Sequence, residues 1–193
     1  MLMSFEGTIG SYQVEELGQT ETEMEFHELT DPPAIRFWPA VKGRDGCRTP
    51  MVWEMGQPNA GFSEGKPWLP VKEPQAANAV DQQGDDSALE FYKATMAFRK
   101  ASAALSRGKT KFISVKEPIL AFTRSSDEEV LTCVFNLSKC EQVLKMISAA
   151  ELSYSQGAEL GGGELKLSGN GFAYLQHTAK TALAFGAHLV GHG

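Results

Sequence analysis

Only three of the 193 residues are cysteine, and Cys47, Cys133 and Cys140 form neither a CxxC pair nor a Cys/His cluster. That spacing excludes a zinc knuckle and a disulfide framework, and three free thiols fit a reducing cytoplasm. No apolar run approaches the ~18 residues that a membrane-spanning helix needs. The stretch Met1–Gly10 has no basic n-region and no apolar h-region, so it does not read as a signal peptide. Residues 1–35 contain no Lys or Arg, yet hold eight acidic residues. With a net charge of −6 overall, the rest of the chain carries +2. A basic surface is therefore missing, and neither nucleic acid nor a membrane is an expected partner. The acidic stretch lacks the ligand spacing of an EF-hand and reads as a solvated loop. No metal or cofactor motif stands out, so no cofactor is expected.

What is present is a globular composition, 42% hydrophobic and 22% charged. The run Thr8–Tyr12 is strand-like but too short to stand alone. Eight prolines between Pro32 and Pro74 break any long element across residues 30–85. Trp38, Trp53 and Trp68 lie among them, so the stretch reads as an ordered loop packed through its aromatic rings. Residues 86–101 read as a helix, with Ser87 and Glu90 at capping-box spacing and Leu89, Tyr92 and Met96 on one face. Phe91, Ala94 and Phe98 widen that face, which predicts substantial burial. From 109 to 176 the pattern is β: Thr110–Val115, Ile119–Arg124, Val130–Asn136, Gln142–Met146, Glu164–Leu167 and Phe172–Gln176. Turn signals at Ser125–Asp127 and Gly169–Gly171 separate short strands, which suggests an antiparallel sandwich.

The loop block carries ordered motifs: Phe37-Trp38-Pro39, Lys42 to Trp53 (KGRDGCRTPMVW), Asn59 to Phe62 (NAGF) and Pro67 to Val71 (PWLPV). These resemble glycoside hydrolase family 13 α-glucosidases and oligo-1,6-glucosidases of the α-amylase superfamily, in the proteobacterial branch. Tyr12 to Gly18 (YQVEELG) resembles the family's YQGEE-x-G run, with Val14 where the family has Gly. Gly171 to Leu175 resembles the family's closing YGFA-x-L strand. The resemblance implies an α/β barrel remnant, the last βα unit and its long loop, followed by an all-β antiparallel sandwich, domain C. Its boundaries are 1–105 for the barrel end, 106–176 for the sandwich and 177–193 for a flexible tail.

On this reading the chain is the C-terminal part of an α-glucosidase that cuts terminal α-glucosidic bonds of maltose-like or isomaltose-like oligosaccharides. It is expected to lack the catalytic carboxylates and to be inactive alone. The alternative is a non-catalytic sandwich module that binds carbohydrate or stabilises a partner barrel. Retaining hydrolysis needs two carboxyl groups about 5–5.5 Å apart. Glu15 and Glu16 are adjacent, Glu23 and Glu25 lie in the acidic run, and Asp45 is flanked by Arg44 and Arg48, so no catalytic pair is named. The resemblance implies that Arg44 or Arg48 binds the substrate, because a guanidinium fork suits carboxylate and sugar oxygens together. Either arginine can instead tie the loop down through Asp45. His27, His177, His188 and His192 share no spacing and read as surface residues, and Cys47 as a packed thiol.

Overall fold

The computed structural model describes residues 1–146 and 149–177. The expected tail therefore lies outside the described residues, apart from His177. Among the described residues the fold is mixed α/β, with one curled antiparallel sheet and short helices. The described residues divide into two compact regions: residues 1–9 with those from Thr95 onward, and residues 10–94.

The first region is built on the sheet. Its strands are β1 (Lys109–Phe112), β2 (Ile119–Ser125), β3 (Val130–Asn136), β4 (Gln142–Lys145), β5 (Glu151–Gly161) and β6 (Glu164–Gln176). They form a single six-stranded sheet in the order β1-β2-β3-β6-β4, with β5 also pairing with β6. This corrects the expectation of two stacked sheets. The physical reason is β6, whose 13 residues pair with β3, β4 and β5 together. The expected turn at Gly169–Gly171 is a bend inside that strand, where Asn170 takes φ 58°. A Cβ on Gly171 would sit 2.5 Å from the Gly157 carbonyl, so the bend requires glycine. Asn136 staples the bend, donating from Nδ2 to the Ser168 carbonyl at 2.8 Å and to the Cys140 carbonyl at 2.7 Å.

Alternation along β2, β3 and β6 sends side chains to both faces, and both faces are buried. One face holds Ile119, Ala121, Val134, Ala173 and Leu175, which pack with Leu144, Leu165 and Leu167 from the outer half of the sheet. The sheet thus curls around its own core. The other face holds Phe122, Leu131, Cys133, Phe135 and Tyr174, covered by α4 (Ala103–Arg107) and by Phe5 and Phe98. Phe5 stacks on Phe122 at 5.4 Å, and Phe122 on Phe135 at 5.9 Å.

Two arginines fasten residues 3–7 to this core. Arg99 donates to the Met3, Phe5 and Gly7 carbonyls at 2.8, 3.0 and 3.2 Å. Arg124 is fully buried and donates to the Ser4, Leu105 and Gly108 carbonyls at 2.6, 3.1 and 2.8 Å. Burial lowers the pKa of Arg124, and the carbonyl dipoles stand in for a counter-charge.

Residues 10–94 contain little regular structure. There are two short helices, α1 (Pro32–Phe37) and α2 (Glu73–Ala76), several 3-10 turns, and the first half of α3 (Ala88–Ala101). Thr8–Tyr12 forms no strand. With no neighbour to take its ladder hydrogen bonds, the run stays irregular. Val14 instead adopts φ 70°, a left-handed conformation that costs a β-branched residue roughly 1–2 kcal/mol. It is nonetheless buried with Leu17, Met51, Val52, Ala60, Ala79 and Leu89 in one small core. Met24, Leu29, Ala34 and Leu69 make a second.

The N-terminus of α3 is capped by Ser87, whose Oγ accepts from the Glu90 amide at 3.3 Å. The reciprocal half of the capping box does not form, because the Glu90 carboxylate holds Lys93 at 2.6 Å. The helix is also less buried than its pattern predicts. Leu89 and Thr95 are buried, but Phe91 and Met96 are 43% and 51% exposed.

Candidate functional site

The KGRDGCRTPMVW run folds back against the N-terminus of α1. Pro32 and Pro33 start that helix, where a missing N–H costs nothing. Ala34 is fully buried beneath the loop. Gly43 takes φ 72°, and a Cβ there would meet Ala34 Cβ at 2.6 Å and Asp31 Oδ2 at 2.7 Å. Only glycine lets the two segments approach this closely.

That approach brings two buried carboxylates together. Asp31 accepts from the Arg44 amide at 2.9 Å, from Arg44 Nη2 at 2.9 Å and from Arg44 Nε at 3.3 Å. The forked pair with Arg44 holds the Asp31 carboxyl below its ordinary pKa. Asp45 accepts from the Thr30 amide at 2.5 Å, from Thr30 Oγ1 at 2.9 Å and from the Asp31 amide at 2.8 Å. Burial pushes the Asp45 carboxyl up, but the amides of Thr30 and Asp31 outweigh it and leave the pKa lowered. Both groups stay ionised at neutral pH, which suits positioning better than proton donation.

The expected partnership of Asp45 with its flanking arginines is therefore corrected. Asp45 opens a 3-10 turn, Asp45–Cys47, and turns inward onto backbone donors while Arg44 reaches Asp31. Arg48 is exposed. Among the described residues it makes no ion pair and no side-chain hydrogen bond, although its charge helps lower the Asp31 pKa. The two candidate arginines thus differ. The Arg44 side chain remains 62% exposed but is committed to Asp31, and the Arg48 guanidinium is uncommitted.

The relay continues outward. Trp68 donates from Nε1 to Thr30 Oγ1 at 3.2 Å, and its ring is 82% exposed. Trp53 and Trp38 are 48% and 38% exposed, and Trp38 lies 6.1 Å from the Phe26 ring. The expected packing of these rings is thus only partial within this chain.

The other candidates fall elsewhere. Glu15 and Glu16 lie in a 3-10 turn, Glu15–Leu17, and Glu15 accepts from the Tyr12 amide at 3.2 Å. Glu23 pairs with Lys42 at 2.5 Å, and Glu25 belongs to the capping box of the Phe26–Glu28 turn. Lys72 pairs with the Glu28 carboxylate, and that bond holds the Glu28 pKa down. Cys47 is exposed, and its thiol donates to the Arg44 carbonyl at 3.1 Å, so it is not the packed thiol expected. His177 is not a free surface residue either. Its Nε2 lies 2.8 Å from Thr132 Oγ1, and burial lowers its pKa. His188 and His192 lie outside the described residues.

Two cavities flank residues 18–25. One, of about 660 Å³, is lined by Gly18–Glu25 with Lys72, Pro74, Gln75 and Asn78. The other, of about 260 Å³, is lined by residues 12–15 and 19–21 with Gly46, Cys47 and Thr49. Gln19 borders both, and nothing in the sequence pattern singled it out.

A family model described as "Alpha amylase, catalytic domain" matches residues 1–108. A probable alpha-glucosidase of Rhizobium meliloti (strain 1021) is 47% identical over 140 residues, covering 72% of this chain and 25% of that protein. A probable oligo-1,6-glucosidase 2 of Bacillus subtilis (strain 168) is 34% identical over 160 residues, covering 72% and 28%. Among solved structures, the alpha-glucosyl transfer enzyme XgtA is similar with a TM-score of 0.77 and 41% identity, covering 91% of this chain and 34% of that one. The trehalulose synthase MutB of Pseudomonas mesoacidophila MX-45, at 22% identity and a TM-score of 0.72, shares the fold.

The chain spans about a quarter of the length of the curated relatives it matches. Even so, the expectation of a C-terminal fragment, inactive alone, and its alternative of a non-catalytic module are corrected. The catalytic-domain match takes in residues 1–108, and the structural likeness to XgtA extends over 91% of the chain. The aligned motifs and the matched length together make this chain a member of the alpha-amylase family, with residues 1–108 in that family's catalytic domain.

Proposed function

We propose that this chain belongs to the catalytic machinery of an enzyme that acts on terminal α-glucosidic bonds by hydrolysis or glucosyl transfer. Its contribution is a sugar-binding wall built on residues 30–70. The observation that carries this reading is the contrast between Arg44 and Arg48. Arg44 is locked to the buried Asp31, and that lock fixes the loop from which an uncommitted Arg48 projects. A free guanidinium offers several donors in one plane, which is the geometry that vicinal sugar hydroxyls accept. Arg44, still more than half exposed, can share its remaining donors with the same sugar.

The relatives support the ligand class. One is named an alpha-glucosidase, others are oligo-1,6-glucosidases, and MutB is described with sucrose, glucose and isomaltulose. The finer architecture belongs to the same proposal: residues 1–105 as the end of the catalytic barrel, 106–176 as the accompanying β domain. It is supported by the loop-then-helix order before Gly108 and the antiparallel sheet after it. A cytoplasmic setting fits the three free cysteines, and no helix among the described residues is long and apolar enough to cross a membrane.

Calorimetric titration of the full chain with maltose and isomaltose tests the reading. Arg48→Ala is expected to weaken binding at least about tenfold, the loss of one or two charge-assisted hydrogen bonds. Arg44→Ala is expected to weaken binding and also to loosen the loop. Unchanged affinity in Arg48→Ala would remove Arg48 from the site.

A further inference from the structure

The side chain of Gln19 has both of its polar atoms, Oε1 and Nε2, sealed from solvent, and neither has a hydrogen-bond partner. Its backbone amide reaches the Val14 carbonyl at 3.4 Å, so the strained Val14 turn fixes where the side chain starts. Leaving a primary amide buried and unpaired is costly, and such a group calls for an explanation, of which a binding role is one. Gln19 stands in the wall between the 660 Å³ cavity and the 260 Å³ cavity.

The chemistry of the larger cavity narrows the ligand. Glu21, Glu23 and Glu25 line it, with Glu23 paired to Lys42, and its one lining cation, Lys72, is neutralised by the Glu28 carboxylate. An anion would meet repulsion there, which argues against phosphate and carboxylate ligands. The uncharged lining groups Thr20, Thr22 and Gln19 can donate and accept hydrogen bonds, the Asn78 amide being engaged by the Leu17 carbonyl and Gln83, and Met24 and Pro74 supply an apolar patch. A volume of about 660 Å³ lies within the range of small-molecule sites.

We infer that this cavity binds a neutral, hydroxyl-rich ligand of one or two glucosyl units, with Gln19 as the recognition group. In the bound form the Gln19 carbonyl accepts from one hydroxyl and its NH2 donates to the neighbouring one. This site is separate from the Arg44–Asp31 pair. The choice of a glucosyl ligand rests on the function proposed above, but the cavity and its unpaired amide do not.

The test uses the full chain with Gln19→Met and Gln19→Leu, which keep the volume and remove the amide. Relieving the unpaired group is expected to raise the ligand-free Tm by about 2–4 °C in at least one of them. Maltose affinity by calorimetry should fall at least about fivefold in both, while glucose 6-phosphate should bind neither wild type nor variant. Arg48→Ala, measured alongside, separates the two proposals. Loss of maltose affinity in Arg48→Ala with none in the Gln19 variants would overturn this site and leave the proposed function standing. Loss in the Gln19 variants alone would support this site and count against Arg48. A rise in Tm with unchanged maltose affinity would mean that the amide serves a buried water only, and would also overturn the inference.

Discussion

In the region formed by residues 1–9 and the chain from Thr95, two arginines donate to six main-chain carbonyls. In residues 10–94, Arg44 donates instead to a carboxylate, Asp31, beside a second buried carboxylate, Asp45. Carbonyl acceptors do not titrate, so acid does not remove the acceptors of the first arrangement. Carboxylates do, and their presence lets the loop fix a guanidinium at its surface. The first region also has a continuous apolar and aromatic core on both faces of a sheet, whereas the second divides its apolar residues between two small clusters. One region is built for stability, and the other spends part of its interior on polar groups that position a loop.

The largest expected effect breaks the sheet core. Phe122→Ala removes a fully buried ring that contacts Phe5, Phe112 and Phe135, and should cost about 3–5 kcal/mol in denaturant unfolding followed by far-UV circular dichroism. Next is the polar network. Asp45→Ala leaves the Thr30 and Asp31 amides without their acceptor and should cost about 2–4 kcal/mol. All three tryptophans lie in residues 10–94, so their fluorescence reports that loss directly. A cost below about 1 kcal/mol would show that the loop does not depend on Asp45.

The same substitution in both regions sharpens the contrast. Val134→Gly, in the middle of β3, should cost about 3 kcal/mol, because it opens a cavity and loosens a strand. Val14→Gly also loses a buried side chain, but it relieves a left-handed φ and should change stability by less than about 1 kcal/mol. Comparable losses at the two sites would mean that Val14 is not strained.

The smallest effects are those of pH. The Asp31 and Asp45 pKa values are lowered in the folded chain, so their stabilisation is present above the ordinary value of 3.8 and is lost as pH falls through the folded values. Tryptophan fluorescence should therefore keep its unfolding midpoint down to about pH 4. His177 is lowered from 6.5 by burial, and its stabilisation is lost as pH falls from 6.5 towards the folded value. The sheet signal should weaken first, beginning just below pH 6.5, and His177→Gln should remove that early loss.

Much of the sheet was legible from residue pattern. The strands β2 and β3 match the expected runs to within a residue, because alternating Val, Ile, Phe and Leu between turn residues has few other solutions. β5 was missed. Its sequence, ELSYSQGAELG, has few apolar side chains and a glycine at a bulge, so no period-2 hydrophobic signal survives. The bend at Gly169–Gly171 has the sequence of a turn, because a turn and a bend inside a strand call for the same residues. At the candidate site, Arg44 and Arg48 were visible from their motif, but the partner of Asp45 was not. Sequence adjacency suggested the arginines, and the acceptor geometry of a buried carboxylate favoured amides fifteen and fourteen residues earlier in the chain. Gln19 left no sequence signal, since an unpaired amide is a property of its surroundings alone.

Calorimetric titration of maltose into the full chain and its Arg48→Ala variant tests the central claim most directly. The account predicts saturable binding by the wild type and a loss of at least about tenfold on removing the uncommitted guanidinium. Equal affinities in the two proteins, or no saccharide binding by the wild type, would contradict it.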